Sequence, residues 1–386
     1  MSSRKVLVAI TARPSYSRIR SALKHLAENS SVELKLLCSG SALLDRYGRV
    51  VDFIRSDGFD VVDEIYTFIE GDDLINMALT ASNTIAHTAA VLRREKPDLV
   101  VTVADRYETI GTAIAASYMN IPLVHVQGGE LTGNIDEKVR HAITKLADLH
   151  LPSTQGAARR LERMGEHPNS IHVTGCPSID IAREALDIPL STVVQEIGRV
   201  AAGDDFELNG DYVVVLLHPE TDAHERSFEQ MSMLLDVVAQ LHVPTVLFWP
   251  NVDAGSDGTS KAVRVFRESG RDDHFTFVKN LEGHLFLALL RDARCLIGNS
   301  SVGIRECSFL GTPVINVGDR QEGRERAGNV LDVAWDRTSL EEAVHSQMTH
   351  GKYPSSTLYG DGHAGPIIAH TIATAEPSFA KRFHDG

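Results

Sequence analysis

Short apolar runs alternate with longer amphipathic stretches along nearly the whole chain, and this alternation limits the fold more than any other feature of the sequence. The runs Val6–Ile10, Glu33–Cys38, Leu99–Val103, Pro122–Val126, Tyr212–Leu217, Thr245–Trp249, Cys295–Ile297 and Val314–Val317 have the length and composition of strands. Between them, Tyr16–Glu28, Leu74–Glu95, Asp136–Leu146, His224–Leu241 and Leu285–Arg291 space their apolar residues as helices do. Such alternation predicts an α/β protein with parallel sheets wrapped by helices on both faces. Periodicity weakens over 188–211, which contains Gly203-Asp204-Asp205 and Asn209-Gly210. Each side of this seam carries its own βα series. The chain therefore reads as two Rossmann-like domains facing each other across a cleft, one over 1–188 and one over 205–360. Ligands of open α/β sheets bind beyond the carboxyl ends of the strands, which places them in that cleft. A length of 386 residues suits two domains.

The rest of the composition narrows the classes of function. No stretch approaches the roughly 20 apolar residues of a membrane helix. Met1-Ser2-Ser3-Arg4-Lys5 runs straight into Val6–Ile10 without a small-residue cleavage site, so no signal peptide is expected. The four cysteines (Cys38, Cys176, Cys295, Cys307) form no CxxC pair and no cluster at zinc spacing, as in a reduced cytoplasmic protein with free thiols. A net charge of -14 argues against nucleic acid as a partner. An anionic substrate would have to be held by local arginines and helix N-termini. No GxGxxG loop supports dinucleotide binding, and no Gly-Lys-Ser/Thr supports a Walker loop.

The chemistry-bearing residues follow the strand candidates. After the first comes Thr11-Ala12-Arg13-Pro14-Ser15-Tyr16-Ser17-Arg18, where Pro14 suits a first helical turn and Arg13 can clamp a phosphate. An ordinary helix start with a surface arginine is the alternative. Asp105, in Asp105-Arg106-Tyr107-Glu108, follows Leu99–Val103 and either faces the cleft or caps the next helix. Next is His125-Val126-Gln127-Gly128-Gly129-Glu130, then Asn134-Ile135-Asp136-Glu137-Lys138-Val139-Arg140-His141. The double glycine lets backbone approach a ligand closely. Carboxylates Asp105, Glu130 and Asp136 at neighbouring strand ends suit proton transfer, because crowding raises carboxylate pKa values. Glu137 and Arg140, spaced i,i+3, read as a solvated pair.

In the second half, Leu216-Leu217-His218-Pro219-Glu220 puts a histidine at a strand end. Trp249-Pro250-Asn251-Val252-Asp253-Ala254-Gly255-Ser256 is either a ligand loop or a turn. The strongest local signal is Gly298-Asn299-Ser300-Ser301-Val302-Gly303-Ile304-Arg305-Glu306. Small residues bridging strand to helix can cradle a diphosphate, and Glu306 is placed to bind a ribose diol or to favour the helix dipole. The run 318–326 adds Arg320, Arg324 and Arg326 beside that cradle.

Together these segments resemble the hydrolysing UDP-N-acetylglucosamine 2-epimerases, bacterial enzymes of sialic acid synthesis and the epimerase half of the bifunctional animal enzyme. The resemblance runs from about Val6 to Pro366. It rests on DRYE, GGELTGNIDEKVRHAITKLAD, GCPSID, HPETD, PNVDAGS, GNSSVGIRE, GTPVINVGDRQEGRERAGNV and YGDG. It implies a GT-B-type fold, a C-terminal nucleotide domain, and a last segment, 361–386, whose helix Pro366–Ala375 returns to the first domain. It implies acid/base carboxylates at Asp105, Glu130 and Asp136, and a histidine, His218, that serves the departing diphosphate. Nucleotide contacts are implied at Ser300, Ser301, Glu306 and Arg320, a first-loop phosphate site at Arg13 and Ser17, and substrate contacts at Arg106 and Asn251. The implied substrate is a nucleotide sugar, with no cofactor and no metal, and the chain is expected to form a homodimer or homotetramer. The family's first loop usually reads Arg-Ala-Asp-Tyr where this chain has Arg13-Pro14-Ser15-Tyr16, which bears on the identity of the sugar. Arg264 and Arg267 match positions near the animal enzyme's CMP-sialic acid site, although two exposed helix arginines are the better account of them. The rival readings are a non-hydrolysing epimerase, a GT-B glycosyltransferase and a catalytically silent nucleotide-sugar sensor.

Overall fold

The structure, a computed structural model, describes residues 3–385 apart from 46–47, 71–73, 132–134, 203–207, 209–210, 220–224, 250–255 and 378–380. The chain divides into two compact units, Met1–Asp180 with Gly360–Gly386, and Ile181–Tyr359.

The first unit holds strands β1 (Arg4–Ile10), β2 (Val32–Ser39), β3 (Val61–Ile65), β4 (Leu99–Val103), β5 (Leu123–Val126) and β6 (Leu149–Leu151). They form one parallel sheet in the order β3-β2-β1-β4-β5-β6. β4 and β5 are buried at every residue, as strands covered on both faces must be. Apolar residues on the two faces build separate core clusters, one around Val8, Leu23 and Ile368, the other around Leu7, Val100 and Ile143. The helix Ala364–Thr374 belongs to this unit: it packs on the helix Arg20–Glu28 and buries Ile368 and Ile372. Asp180 fixes its start, accepting from Ala364 N at 2.8 Å, Gly365 N at 2.6 Å and Ser21 Oγ at 2.6 Å.

The second unit holds β7 (Ala201–Ala202), β8 (Val213–Leu216), β9 (Thr245–Phe248), β10 (Phe275–Val278), β11 (Cys295–Gly298), β12 (Val314–Val317) and β13 (Val330–Val333). Their order is β13-β12-β11-β8-β9-β10-β7, parallel except for β7, which runs antiparallel to β10. Counted from β8, the six parallel strands repeat the order of the first sheet. Both are Rossmann sheets, and in each the order reverses beside the first strand of its series, at β1/β4 and at β8/β11.

Two local expectations fail. The stretch Tyr16–Glu28 is two helices, Arg13–Ser17 and Arg20–Glu28. Ser17 Oγ bonds the carbonyls of Arg13 and Pro14 at 3.2 Å each, and Ile19 leaves helical geometry to sit fully buried in the core. The stretch 188–211, where periodicity weakens, carries a helix, Leu190–Val200, that buries Val193 and Ile197. Among the described residues, no helix is long and apolar enough to cross a membrane.

Candidate active site

The switch point of the first sheet places the loops after β1, β4 and β5 side by side. After β1, Ser15 turns into its own turn: its Oγ accepts from Ala12 N at 3.0 Å and donates to Ala12 O at 2.7 Å. Ser15 is buried, whereas Arg13 and Ser17 are exposed. Ser15, which stands where the resemblance implied an aspartate, therefore fastens the loop through its own turn.

Both other strands leave the sheet through left-handed residues, Ala104 (φ +61°) after β4 and Gln127 (φ +65°) after β5, with Gly129 (φ +78°) following. A side chain resists this conformation by about 1–2 kcal/mol, so each position is held by its surroundings. At Gly129 the reason for glycine is direct, since a Cβ would lie 2.5 Å from the Ala157 carbonyl oxygen. Asp105 and Glu130 emerge from these turns, and both are buried. They meet around Arg140, from the helix Ile135–Leu146. Its guanidinium forms an ion pair with Asp105, and its Nη1 donates to the Glu130 carbonyl at 2.8 Å. Arg140 is only 1% exposed, which corrects its reading as a solvated partner of Glu137. Glu137 instead lies 3.6 Å from His141. Asp136 sits one turn before Arg140 on the same helix.

A second pair interleaves with the first. Arg106 Nε lies 3.1 Å from Oε1 of Glu108, a fully buried carboxylate that the sequence did not single out. Burial works against the Arg106 charge, but Glu108, with Asp136 beyond it, outweighs this and holds the guanidinium above its usual pKa. Consecutive residues thus carry opposite charges and reach opposite partners. Such a cluster can hold an anionic or hydroxyl-rich ligand and move protons at carboxylates of fixed orientation.

In the second unit, His218 follows β8 and Ser300 follows β11, at that sheet's switch point. Asn299, fully buried, ties the two exits together: its Oδ1 accepts from His218 N at 2.8 Å and its Nδ2 donates to His218 O at 2.9 Å. Its own carbonyl accepts from Arg320 Nη1 at 3.2 Å and Gln321 Nε2 at 2.9 Å. Asn299 was visible inside the motif, but nothing in sequence separates a strand tie from a ligand contact. Ser300 stands at the N-cap position of the short helix Ser301–Ile304 without a side-chain cap bond, and Glu306 opens the next helix. His218 is buried and its Nδ1 meets no hydrogen-bond partner among the described residues. Burial, reinforced by Arg320, pushes its pKa down to about 3. The imidazole is therefore neutral at neutral pH. Arg264 and Arg267 lie on the helix Ser256–Glu268, away from any strand exit in sequence. Asn251 lies outside the described residues. Among the described residues no three His, Cys, Asp or Glu are grouped to hold a metal ion.

Two Rossmann-like units with polar strand exits at both switch points define a GT-B-type α/β protein. The same fold spans the crystal structure of UDP-GlcNAc 2-epimerase from Neisseria meningitidis bound to UDP-GlcNAc, with a TM-score of 0.81 and 18% identity over 95% of this chain and 99% of that one. The family model for UDP-N-acetylglucosamine 2-epimerase matches residues 24–373, so the chain belongs to this family of enzymes. A UDP-N,N'-diacetylbacillosamine 2-epimerase (hydrolyzing) of Legionella pneumophila is 29% identical over 361 residues, 93% of each chain. The polysialic acid biosynthesis protein P7 of Escherichia coli is 31% identical over 354 residues, 89% of this chain and 85% of its own length.

Proposed function

We propose that the enzyme is a hydrolysing nucleotide-sugar 2-epimerase that converts UDP-N-acetylglucosamine and water into N-acetylmannosamine and UDP. The observation that carries this reading is the buried Asp105–Arg140–Glu130 arrangement, in which one guanidinium pairs with the Asp105 carboxylate and holds the backbone carbonyl of Glu130. A carboxylate of this set takes the proton from C2 while the C1–O bond breaks, its electron pair leaving on the diphosphate. The product is the C1=C2 alkene, a 2-acetamidoglucal. Water then adds its oxygen to C1, and a carboxyl group returns a proton to C2 from the other face, giving the manno configuration. Asp105, Glu130 and Asp136 share these proton transfers, and Arg106, Arg13 and Asn251 contact substrate.

The second unit holds the nucleotide through Ser300, Ser301, Glu306 and Arg320. His218 serves the leaving diphosphate. Neutral in the free protein, its imidazole can donate one hydrogen bond, and a bound dianion would raise its pKa toward the protonated state. Hydrolysis, rather than return of an epimerised nucleotide sugar, is supported by the likeness to the hydrolysing Legionella enzyme over nearly the full length of both chains.

That relative also favours a second reading for the sugar, a UDP-linked 2,4-diacetamido-2,4,6-trideoxyglucose. Incubation of both donors in deuterated water tests the two readings together. Free sugar carrying deuterium at C2, with UDP, is expected from one of them. Epimerised nucleotide sugar as the sole product, or a C2 without deuterium, refutes the elimination and hydration.

A further inference from the structure

His125 lies at the end of β5, is fully buried, and has both ring nitrogens engaged. Nε2 is 2.9 Å from the Ala104 carbonyl oxygen and Nδ1 is 3.1 Å from Thr144 Oγ1. A carbonyl can only accept, so Nε2 carries the proton and Nδ1 accepts from the threonine hydroxyl. Burial is the main reason its pKa falls to about 3, which keeps the ring in this single neutral form.

Both partners belong to the candidate site. Ala104 is the left-handed residue immediately before Asp105, with its N–H held by the Val126 carbonyl at 3.0 Å. Thr144 stands one turn beyond Arg140 on the same helix, and its carbonyl accepts from Lys381 Nζ at 2.9 Å. The ring thus spans the two backbones that bring Asp105 and Arg140 together. Gly128 keeps the space open, because a Cβ there would lie 2.9 Å from Nδ1 and 3.1 Å from Thr144 Oγ1.

We propose that His125 is a positioning residue, which holds the strained Ala104 turn and the Arg140 helix in the register that pairs Asp105 with Arg140. The inference rests on the reading of Asp105 as an acid/base group. His125→Leu removes both bonds at similar bulk, His125→Gln can return the donor to the Ala104 carbonyl, and Thr144→Val removes only the bond to Nδ1, leaving the one to Ala104.

With the donor that the wild type turns over, His125→Leu should lower kcat on the order of 100-fold with KM within about threefold, the scale of a displacement near 1 Å. His125→Gln should recover at least tenfold of that loss, and Thr144→Val should fall between them. A folded His125→Leu enzyme with near wild-type kcat, or a His125→Gln enzyme equally impaired, overturns the inference. A wild type inactive on both donors counts against the proposed reaction instead. In that event, denaturation of His125→Leu, Asp105→Asn and the double variant decides the coupling alone: non-additive losses are expected, and additive ones overturn it.

Discussion

The neutral, enclosed state of His125 makes a quantitative demand on stability as the solution is acidified. In the folded protein its pKa is about 3, against an ordinary value of 6.5. Between these values the unfolded chain binds a proton that the folded chain refuses. Stability contributed at neutral pH is therefore lost as the pH falls below 6.5, and the loss continues down to about 3. At pH 5 the gap from the ordinary value is roughly 1.5 units, which at 1.36 kcal/mol per unit amounts to about 2 kcal/mol. This magnitude is insensitive to the folded value so long as that lies well below 5. Against a typical total of about 5–15 kcal/mol, it is measurable. Guanidinium denaturation at pH 7, 6 and 5, followed by far-UV circular dichroism, gives the comparison between wild type and His125→Gln. Other titrating groups are common to both and cancel in the difference. Wild type should lose about 2 kcal/mol more than the variant between pH 7 and pH 5. Both tryptophans, Trp249 and Trp335, lie in the second unit, so their fluorescence follows that unit separately. Parallel losses in the two proteins would mean that His125 takes up its proton in the folded state as readily as in water, and would refute the enclosed neutral ring.

Two further outcomes follow from the site's construction. Arg140→Leu strands the buried Asp105 carboxylate, and should cost about 3–5 kcal/mol in the same denaturation experiment; a loss below about 1 kcal/mol would show that the ion pair does not hold this region. At Gly298, with φ +152°, an added Cβ would land on the Leu216 carbonyl, so Gly298→Ala should lower the melting temperature or the soluble yield sharply. Ordinary melting of that variant would mean that β8 and β11 can separate without penalty.

The strands that sequence made legible are those buried on both faces. Leu99–Val103 and Val314–Val317 were readable to the residue because a covered parallel strand is nearly all apolar, with Thr102 and Asn316 as the exceptions here. The strands it concealed stand mostly at sheet edges. β3 carries Asp63 and Glu64, β13 carries Asp332, and β6 is three residues long with a histidine at its centre. β3 and β13 are partly exposed and tolerate such residues, so their pattern dissolves into that of a loop, whereas β6 is buried throughout but too short to show a pattern. The candidate site divides along a similar line. Carboxylates and the histidine at strand exits were evident from position alone, whereas Arg140 and Glu108 were not. Their burial depends on which helix face meets which loop, and an arginine three residues from a glutamate carries the same signal whether solvated or enclosed. Ser15 shows the converse: a substitution conspicuous in sequence turns out to be spent on its own backbone turn.

The return of the helix Ala364–Thr374 to the first unit has a consequence for biosynthesis. Ala22, Leu23 and Leu26 share a core cluster with Ile368 and Ile372, yet roughly 350 residues of chain separate them. At a ribosomal pace of roughly 5–20 residues per second, that part of the nascent chain waits on the order of 20–70 s for its cover. The second unit is one continuous stretch and can close as soon as its last residues clear the exit tunnel. The part of the polypeptide made first is thus completed last. A ribosome that stalls anywhere before the final helix leaves a nascent chain with an uncovered apolar seam near its beginning, where chaperones and proteases would find it.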